Sequence, residues 1–234
     1  MSSYLLKDSD SKRMFVDWLN GMAADYAVDA MLKWADEDAL CEHFFSCIRG
    51  TLATPTGDLT IKNYKTRGRG PGAAEKKLGA DGLCIVDINT PNTRLSGFFL
   101  FQAKKAHLLS DTLRGASREC SNMLSHTAAS YLLTLMPTDA KMSGAMAVHS
   151  CTRVDPPLNE IPYVSFARFA AEHLLQGIML EPMNRLRDLV SPDLRAEIKI
   201  VVGVLGRGPD QTAEALKLMQ MEIQALGLDV ESDG

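Results

Sequence analysis

Apolar residues recur every three to four positions between about Arg13 and Lys33, at Phe15, Leu19, Met22, Tyr26 and Ala30, which is the spacing of an amphipathic helix. A second helical pattern runs from about Asp36 to Ile48 and gathers Leu40, Cys41, Phe44, Cys47 and Ile48 on one face. Glu37 lies one turn before Cys41 on that same face, so its carboxylate is expected to point inward. Thr54 to Asp58 is rich in turn formers, and Leu59 to Tyr64 reads as a short strand entering the Gly-rich segment RGRGPG from Arg67 to Gly72. Two apolar, strand-like runs, Asp81 to Ile88 and Gly97 to Lys104, flank the turn-forming stretch INTPNTRLS and predict a β-hairpin. Leu109, Leu113, Ala116, Cys120, Met123 and Leu124 give a helical pattern over Leu108 to Ser130, and Tyr131 to Met136 and Met142 to Ser150 read as strands. Helices are expected from about Val164 to Met179 and near Asn184 to Leu189. A strand follows from Ile198 to Leu205, then a helix from Asp210 to Leu226 entered through Gly206 to Asp210.

Strands alternating with helices, in 234 residues, predict one α/β domain over residues 1–234: a mixed central β-sheet built around the 81–104 hairpin and flanked by helices. Hydrophobic residues at 46% and charged residues at 23% are ordinary globular usage. No apolar run reaches the ~18 residues of a spanning helix, and the opening MSSYLLKDSDSKR lacks the apolar core of a secretory signal, so a cytoplasmic protein without a membrane partner is expected. Cys41, Cys47, Cys84, Cys120 and Cys151 form no CxxC pair, which fits a reducing compartment and no zinc site. The net charge of −4 argues against a protein that coats nucleic acid. Locally the balance reverses: Lys62, Lys65, Arg67, Arg69, Lys76 and Lys77 face one acid, Glu75. Lys65, Arg67 and Arg69 are therefore candidate phosphate contacts, with a solvated loop as the competing reading.

The hairpin makes a geometric claim. In an antiparallel pair the start of the first strand lies beside the end of the second, so Asp81 is brought close to Gln102 and Lys104. Side chains alternate, so Gln102 and Lys104 share a face. Any register whose paired positions sum to an odd number, for example 81 opposite 104, adds Asp81 to it. Asp87 has the same parity but lies at the far end of the hairpin. Phosphodiester hydrolysis calls for a hard divalent ion with oxygen ligands and for positive charge beside the phosphorane. Asp81 is the candidate main ligand, with further oxygens from the Gln102 side chain or the Ala103 carbonyl, and Lys104 to orient water or offset charge. Glu37 or Glu75 are candidates for a second carboxylate.

An acid on an N-terminal helix, the segment Glu75-Lys76-Lys77-Leu78-Gly79-Ala80-Asp81, and an apolar hairpin ending in Phe101-Gln102-Ala103-Lys104 together resemble the PD-(D/E)xK nucleases. The likeness is to variants with QxK in place of ExK, as in Mrr-like restriction enzymes and effector nucleases of bacterial anti-phage defence. It covers residues 36–136, leaving 137–234 as a C-terminal α/β extension of the same domain. The resemblance implies a restriction-endonuclease-like fold, Mg²⁺ or Mn²⁺ dependence, and DNA as substrate. It also implies dimerisation for double-strand cleavage. Asp81, Gln102 and Lys104 match its core motif, Glu75 the acid that often precedes GAD, and Glu37 the helix acid. No sequence-reading or sensor module is recognisable in the chain, so targeting is expected from a sensor or helicase-type partner or from a homo-oligomer. Gln102 departs from the ExK pattern and removes one unit of ligand charge. That keeps open a second reading, a catalytically silent nuclease-like fold that binds nucleic acid or acts as a scaffold.

Overall fold

The computed structural model describes residues 9–32, 37–48, 50–54, 57–61, 64–65, 78–90, 93–151, 153–176, 180–189, 197–202, 204–206, 217, 221 and 231–232. Two helices come first, α1 (Ser9–Leu32) and α2 (Glu37–Cys47), where the apolar spacing predicts them. Phe15, Leu19 and Tyr26 of α1 and Leu40, Cys41 and Phe44 of α2 are buried. The chain then forms β1 (Gly50–Thr54), β2 (Gly57–Ile61) and β3 (Tyr64–Lys65), so the expected single strand from Leu59 is instead the second arm of a β1–β2 pair.

The predicted hairpin is the centre of the molecule. Strand β4 (Gly82–Thr90) pairs antiparallel with β5 (Thr93–Lys105), each arm longer than the apolar run alone suggests. Then come α3 (Ala116–His126), β6 (Ser130–Leu135), β7 (Ala140–Gly144), α4 (Ala145–His149), β8 (Val164–Ser165), α5 (Phe166–Glu172), β9 (Glu181–Pro182) and α6 (Met183–Leu189). Strands β10 (Glu197–Val202), β11 (Val204–Gly206) and β12 (Glu231–Ser232) complete the described elements. The main sheet runs β10-β4-β5-β6-β7-β8, with β9 also pairing with β5. β10 lies parallel to β4 and β6 parallel to β5, whereas the β4–β5, β6–β7 and β7–β8 pairs are antiparallel. This is a mixed α/β architecture with a central mixed sheet flanked by helices. β1, β2 and β11 make a smaller sheet, and β3 pairs with β12.

Alternation along β4 and β5 divides the core in two. Cys84, Val86, Phe99, Phe101 and Ala103 pack on one side with α1, α2 and α5. Leu83, Ile85, Phe98 and Leu100 pack on the other with α3, α4 and α6. Both sides are apolar because the sheet is covered on both faces, which is why β4 and β5 read as continuous apolar runs.

Several expected boundaries are corrected. Residues 107–115 are not helical: Asp111 Oδ2 accepts from the His107 and Leu108 N–H groups, and Gly115 sits at φ +75°, so the helix begins only at Ala116. The strand expected over Met142 to Ser150 stops at Gly144 and gives way to α4, whose buried Ala145 and Val148 are one turn apart. Within the expected helix from Val164, the first two residues are β8 and α5 spans only Phe166 to Glu172, capped by the Ser165 hydroxyl accepting from Arg168 N–H. The expected strand Ile198 to Leu205 is two strands in different sheets, β10 and β11. The segments 66–77 and 207–216 lie outside the described residues, as does most of the helix expected at 210–226, of which only Lys217 and Met221 are described.

Candidate active site

The register of the hairpin pairs Gly82 with Phe101. Their numbers sum to an odd value, two short of the 81–104 example, so the parity that puts Asp81 on the face of Gln102 and Lys104 holds. Asp81 itself sits one residue before β4, where its N–H donates to the Phe101 carbonyl at 3.0 Å and extends the ladder. Asp87 pairs with Ser96, towards the opposite end of the hairpin. Leu83, Ile85, Phe98 and Leu100 show which side the site is on: Asp81, Gln102 and Lys104 continue the row that faces α3.

One carboxylate oxygen organises the cluster. Asp81 Oδ2 accepts from the Ala103 N–H at 2.7 Å and from Gln102 Nε2 at 2.5 Å. Gln102 Nε2 also donates to the Ala103 carbonyl at 3.3 Å. The amide nitrogen is thus held between two oxygens. Gln102 is 2% exposed, and its Oε1 is buried with no hydrogen-bond partner among the described residues. A buried amide oxygen left without a partner costs about 1–3 kcal/mol.

Lys104 is gripped from two helices. Its Nζ lies 2.8 Å from Glu119 Oε2 on α3 and 3.5 Å from Glu37 Oε1 on α2, and its side chain is 13% exposed. Glu37 Oε2 in turn accepts from the Lys105 N–H at 3.0 Å, so this carboxylate is tied to the end of β5 by backbone as well as by charge. The inward carboxylate expected on α2 is in place. Glu119 Oε2 is buried, and at 2.8 Å both hydrogen bonding and charge bind it to the Lys104 ammonium.

Burial is the largest influence on Asp81 and pushes its carboxyl up from the ordinary 3.8 to about 7. The Ala103 N–H, the Gln102 amide and the Lys104 charge pull the other way, while Glu37 adds to the rise. For Lys104, burial alone would lower the value, but Glu119, Glu37 and Asp81 outweigh it and hold the ammonium above the usual lysine range. The face therefore presents a carboxyl poised near neutrality beside a firmly charged ammonium.

Of the other expected site residues, Lys65 lies in β3 opposite Glu231, while Arg67, Arg69 and Glu75 lie outside the described residues. Glu119 was not singled out by the sequence pattern. It sits between Ala116 and Cys120, and its only signal is a place one turn into a helix that follows the QAK strand. His107, three residues beyond Lys104, is exposed, and its N–H donates to Asp111 Oδ2 at 2.6 Å. Among the described residues no three His, Cys, Asp or Glu side chains are grouped to hold a metal ion. Comparison with protein-family models, curated proteins and solved structures returned no match to this chain, and the site is read from its own chemistry.

Proposed function

We propose that the chain is a metal-dependent nuclease that hydrolyses DNA phosphodiester bonds at the Asp81–Gln102–Lys104 cluster, on a restriction-endonuclease-like fold. The observation that carries this reading is the joint placement, on one sheet face, of a half-buried carboxylate, a buried amide oxygen lacking a partner, a backbone carbonyl and a gripped ammonium. A strand end emerging into solvent accounts for Lys105. It does not account for Gln102, which is buried with one polar atom unsatisfied.

The donor set fits a hard divalent ion such as Mg²⁺ or Mn²⁺, which takes oxygen ligands and binds through one or two carboxylates together with water and substrate phosphate. Asp81, Gln102 Oε1 and the Ala103 carbonyl would hold it, the Gln102 amide turning over so that oxygen replaces nitrogen between the other two groups. Glu75, outside the described residues, is the further acid the sequence offers. A bound ion supplies Lewis acidity toward a phosphoryl oxygen and a hydroxide near neutral pH. The protein's own part is positional and electrostatic. Asp81 keeps its orientation through the Ala103 N–H, which remains when the Gln102 amide turns, and Lys104 presents positive charge where the phosphorane develops its negative charge. The lysine stem, buried between α2 and α3, limits where that charge can go.

The wider role, an effector of bacterial anti-phage defence or restriction directed by a sensor or helicase-type partner or by self-association, follows the family resemblance of the motif. The deciding experiment incubates the purified chain with supercoiled and linear DNA in Mg²⁺ or Mn²⁺, beside Lys104→Ala and Asp81→Ala. Cleavage by the parent and loss of roughly a hundredfold or more in both variants is expected from removing groups that act on the reacting centre. Cleavage that survives both substitutions sinks the site. DNA binding without cleavage under any of these conditions favours the scaffold reading.

A further inference from the structure

A lysine that must face one phosphoryl oxygen needs its ammonium fixed, because four rotatable bonds otherwise spread it over a wide arc. Glu37 gives only a partial hold: one of its oxygens accepts the Lys105 N–H and the other stands 3.5 Å from Lys104 Nζ. The shorter contact, 2.8 Å, comes from Glu119.

Two glycines bring Glu119 there. Gly79, at φ +69°, lies in the turn that leads to Asp81, and a Cβ at that position would stand 2.8 Å from Asn122 Cβ and 3.0 Å from the Glu119 carbonyl oxygen. Helix α3 rests directly on that turn, and only a residue without a side chain allows the approach. Gly115, at φ +75°, starts the helix. Its N–H donates to Asp155 Oδ1 at 2.7 Å, its carbonyl accepts the Glu119 N–H at 3.1 Å, and a Cβ on it would stand 3.2 Å from Glu119 Oε1. The Glu119 carboxylate is thus lodged between a glycine on one side and the Lys104 ammonium on the other. A pair formed only for stability would need one carboxylate. Here two oppose one ammonium, with Asp81 beside them, and surplus negative charge in a part-buried cluster weakens a fold.

We propose that Glu119 is a positioning residue that fixes the Lys104 ammonium on the Asp81 face. It acts through Lys104 and touches no reacting atom. The inference rests on the phosphodiesterase reading above, and it makes α3 part of the catalytic apparatus in addition to the hairpin and α2.

The test compares the full-length chain with Glu119→Gln, which keeps the shape and removes the charge, and with Glu37→Gln. With supercoiled plasmid and saturating Mn²⁺, Glu119→Gln is expected to lower kcat by roughly tenfold or more while KM stays within about twofold, the pattern of an interaction used in the transition state rather than in binding. An independent readout is the ¹⁵N-lysine NMR signal of the Lys104 ammonium, assigned by its loss in Lys104→Arg. It should be slow to exchange in the parent, lost in Glu119→Gln and kept in Glu37→Gln. A Lys104 signal that survives Glu119→Gln overturns the proposal, as does an unchanged kcat in a folded Glu119→Gln variant whose signal is gone. If the parent cleaves no DNA, the nuclease reading fails on its own. The NMR signal then decides whether Glu119 holds Lys104, loss supporting it and retention overturning it.

Discussion

At the scale of single residues, Asp81 couples the site to pH. Its carboxyl titrates near 7 in the fold and near 3.8 when unfolded, with burial as the main cause. The folded state therefore binds the extra proton between those values, and this group's contribution to stability falls as pH rises from about 4 to about 7, leaving a buried charge above it. Asp81→Asn removes that charge and keeps an oxygen for the Ala103 and Gln102 N–H groups. It should match the parent near pH 4 and exceed it by about 2–4 kcal/mol above pH 8, read from denaturant unfolding across the pH range. An Asn variant no more stable than the parent at pH 8 refutes the assignment. A divalent ion that binds the carboxylate form stabilises the fold only where that form exists. Mg²⁺ or Mn²⁺ is thus expected to raise the melting temperature of the parent at pH 8, to have little effect at pH 5, and to have none on Asp81→Asn. The parity that led to Asp81 was legible because period-two alternation survives any even shift of register. The observed register is such a shift from the 81–104 example. Glu119 was not legible, since a glutamate on a helix has no periodic signature of the groove it reaches into.

At the scale of elements, the close seat of α3 against the Gly79 turn gives a steric prediction. Gly79→Ala introduces a Cβ 2.8 Å from Asn122 Cβ and forces an L side chain to φ +69°. It should destabilise by about 1–3 kcal/mol from backbone strain and overlap together, and move Glu119 away from Lys104 enough to slow cleavage. Adding Asn122→Gly, measured against Asn122→Gly alone, should relieve the overlap with residue 122 but not the φ cost, so partial recovery is the expected result of the double variant. Full recovery would remove the backbone argument, and no recovery would remove the steric one. The same region explains where element boundaries were hidden. Leu109 and Leu113 fit a helical spacing, yet the loop before α3 is set by side-chain and cross-loop hydrogen bonds. Asp111 takes two N–H groups, Leu113 N–H donates to Pro156 O, and Asn159 N–H donates to Leu109 O at 2.7 Å. Pro156 and Asn159 lie more than forty residues downstream of their partners, beyond the reach of a periodicity window. Likewise Ala145 to His149 is short and apolar, a run for which strand and helix patterns coincide.

At the scale of the whole molecule, the hairpin depends on the distant C-terminal part of the chain. β10 lies parallel to β4 from Glu197 opposite Gly82 to Val202 opposite Asp87, covering the side of β4 that β5 does not. β11, two residues later, closes the small sheet against β2. The apolar pattern predicts one strand over Ile198 to Leu205 but not its pairings, because a parallel partner a hundred residues away leaves no local trace and one apolar run carries both β10 and β11. A chain ending before Glu197 would leave the backbone groups of β4 from Gly82 to Asp87 unpaired along a strand whose residues from Leu83 to Val86 are buried, and such an edge invites association. If the segment were a separate appendage, its removal would leave the melting temperature, the denaturant m-value and the Asp81 titration unchanged. The pairing predicts otherwise. The shortened chain should lose its cooperative transition, aggregate at concentrations where the parent is monodisperse, and lose both DNA cleavage and the protected Lys104 ammonium signal together. The first residue of β4 is the neighbour of Asp81, so a fold that loosens at this edge cannot keep the carboxylate aligned with Gln102 and Ala103.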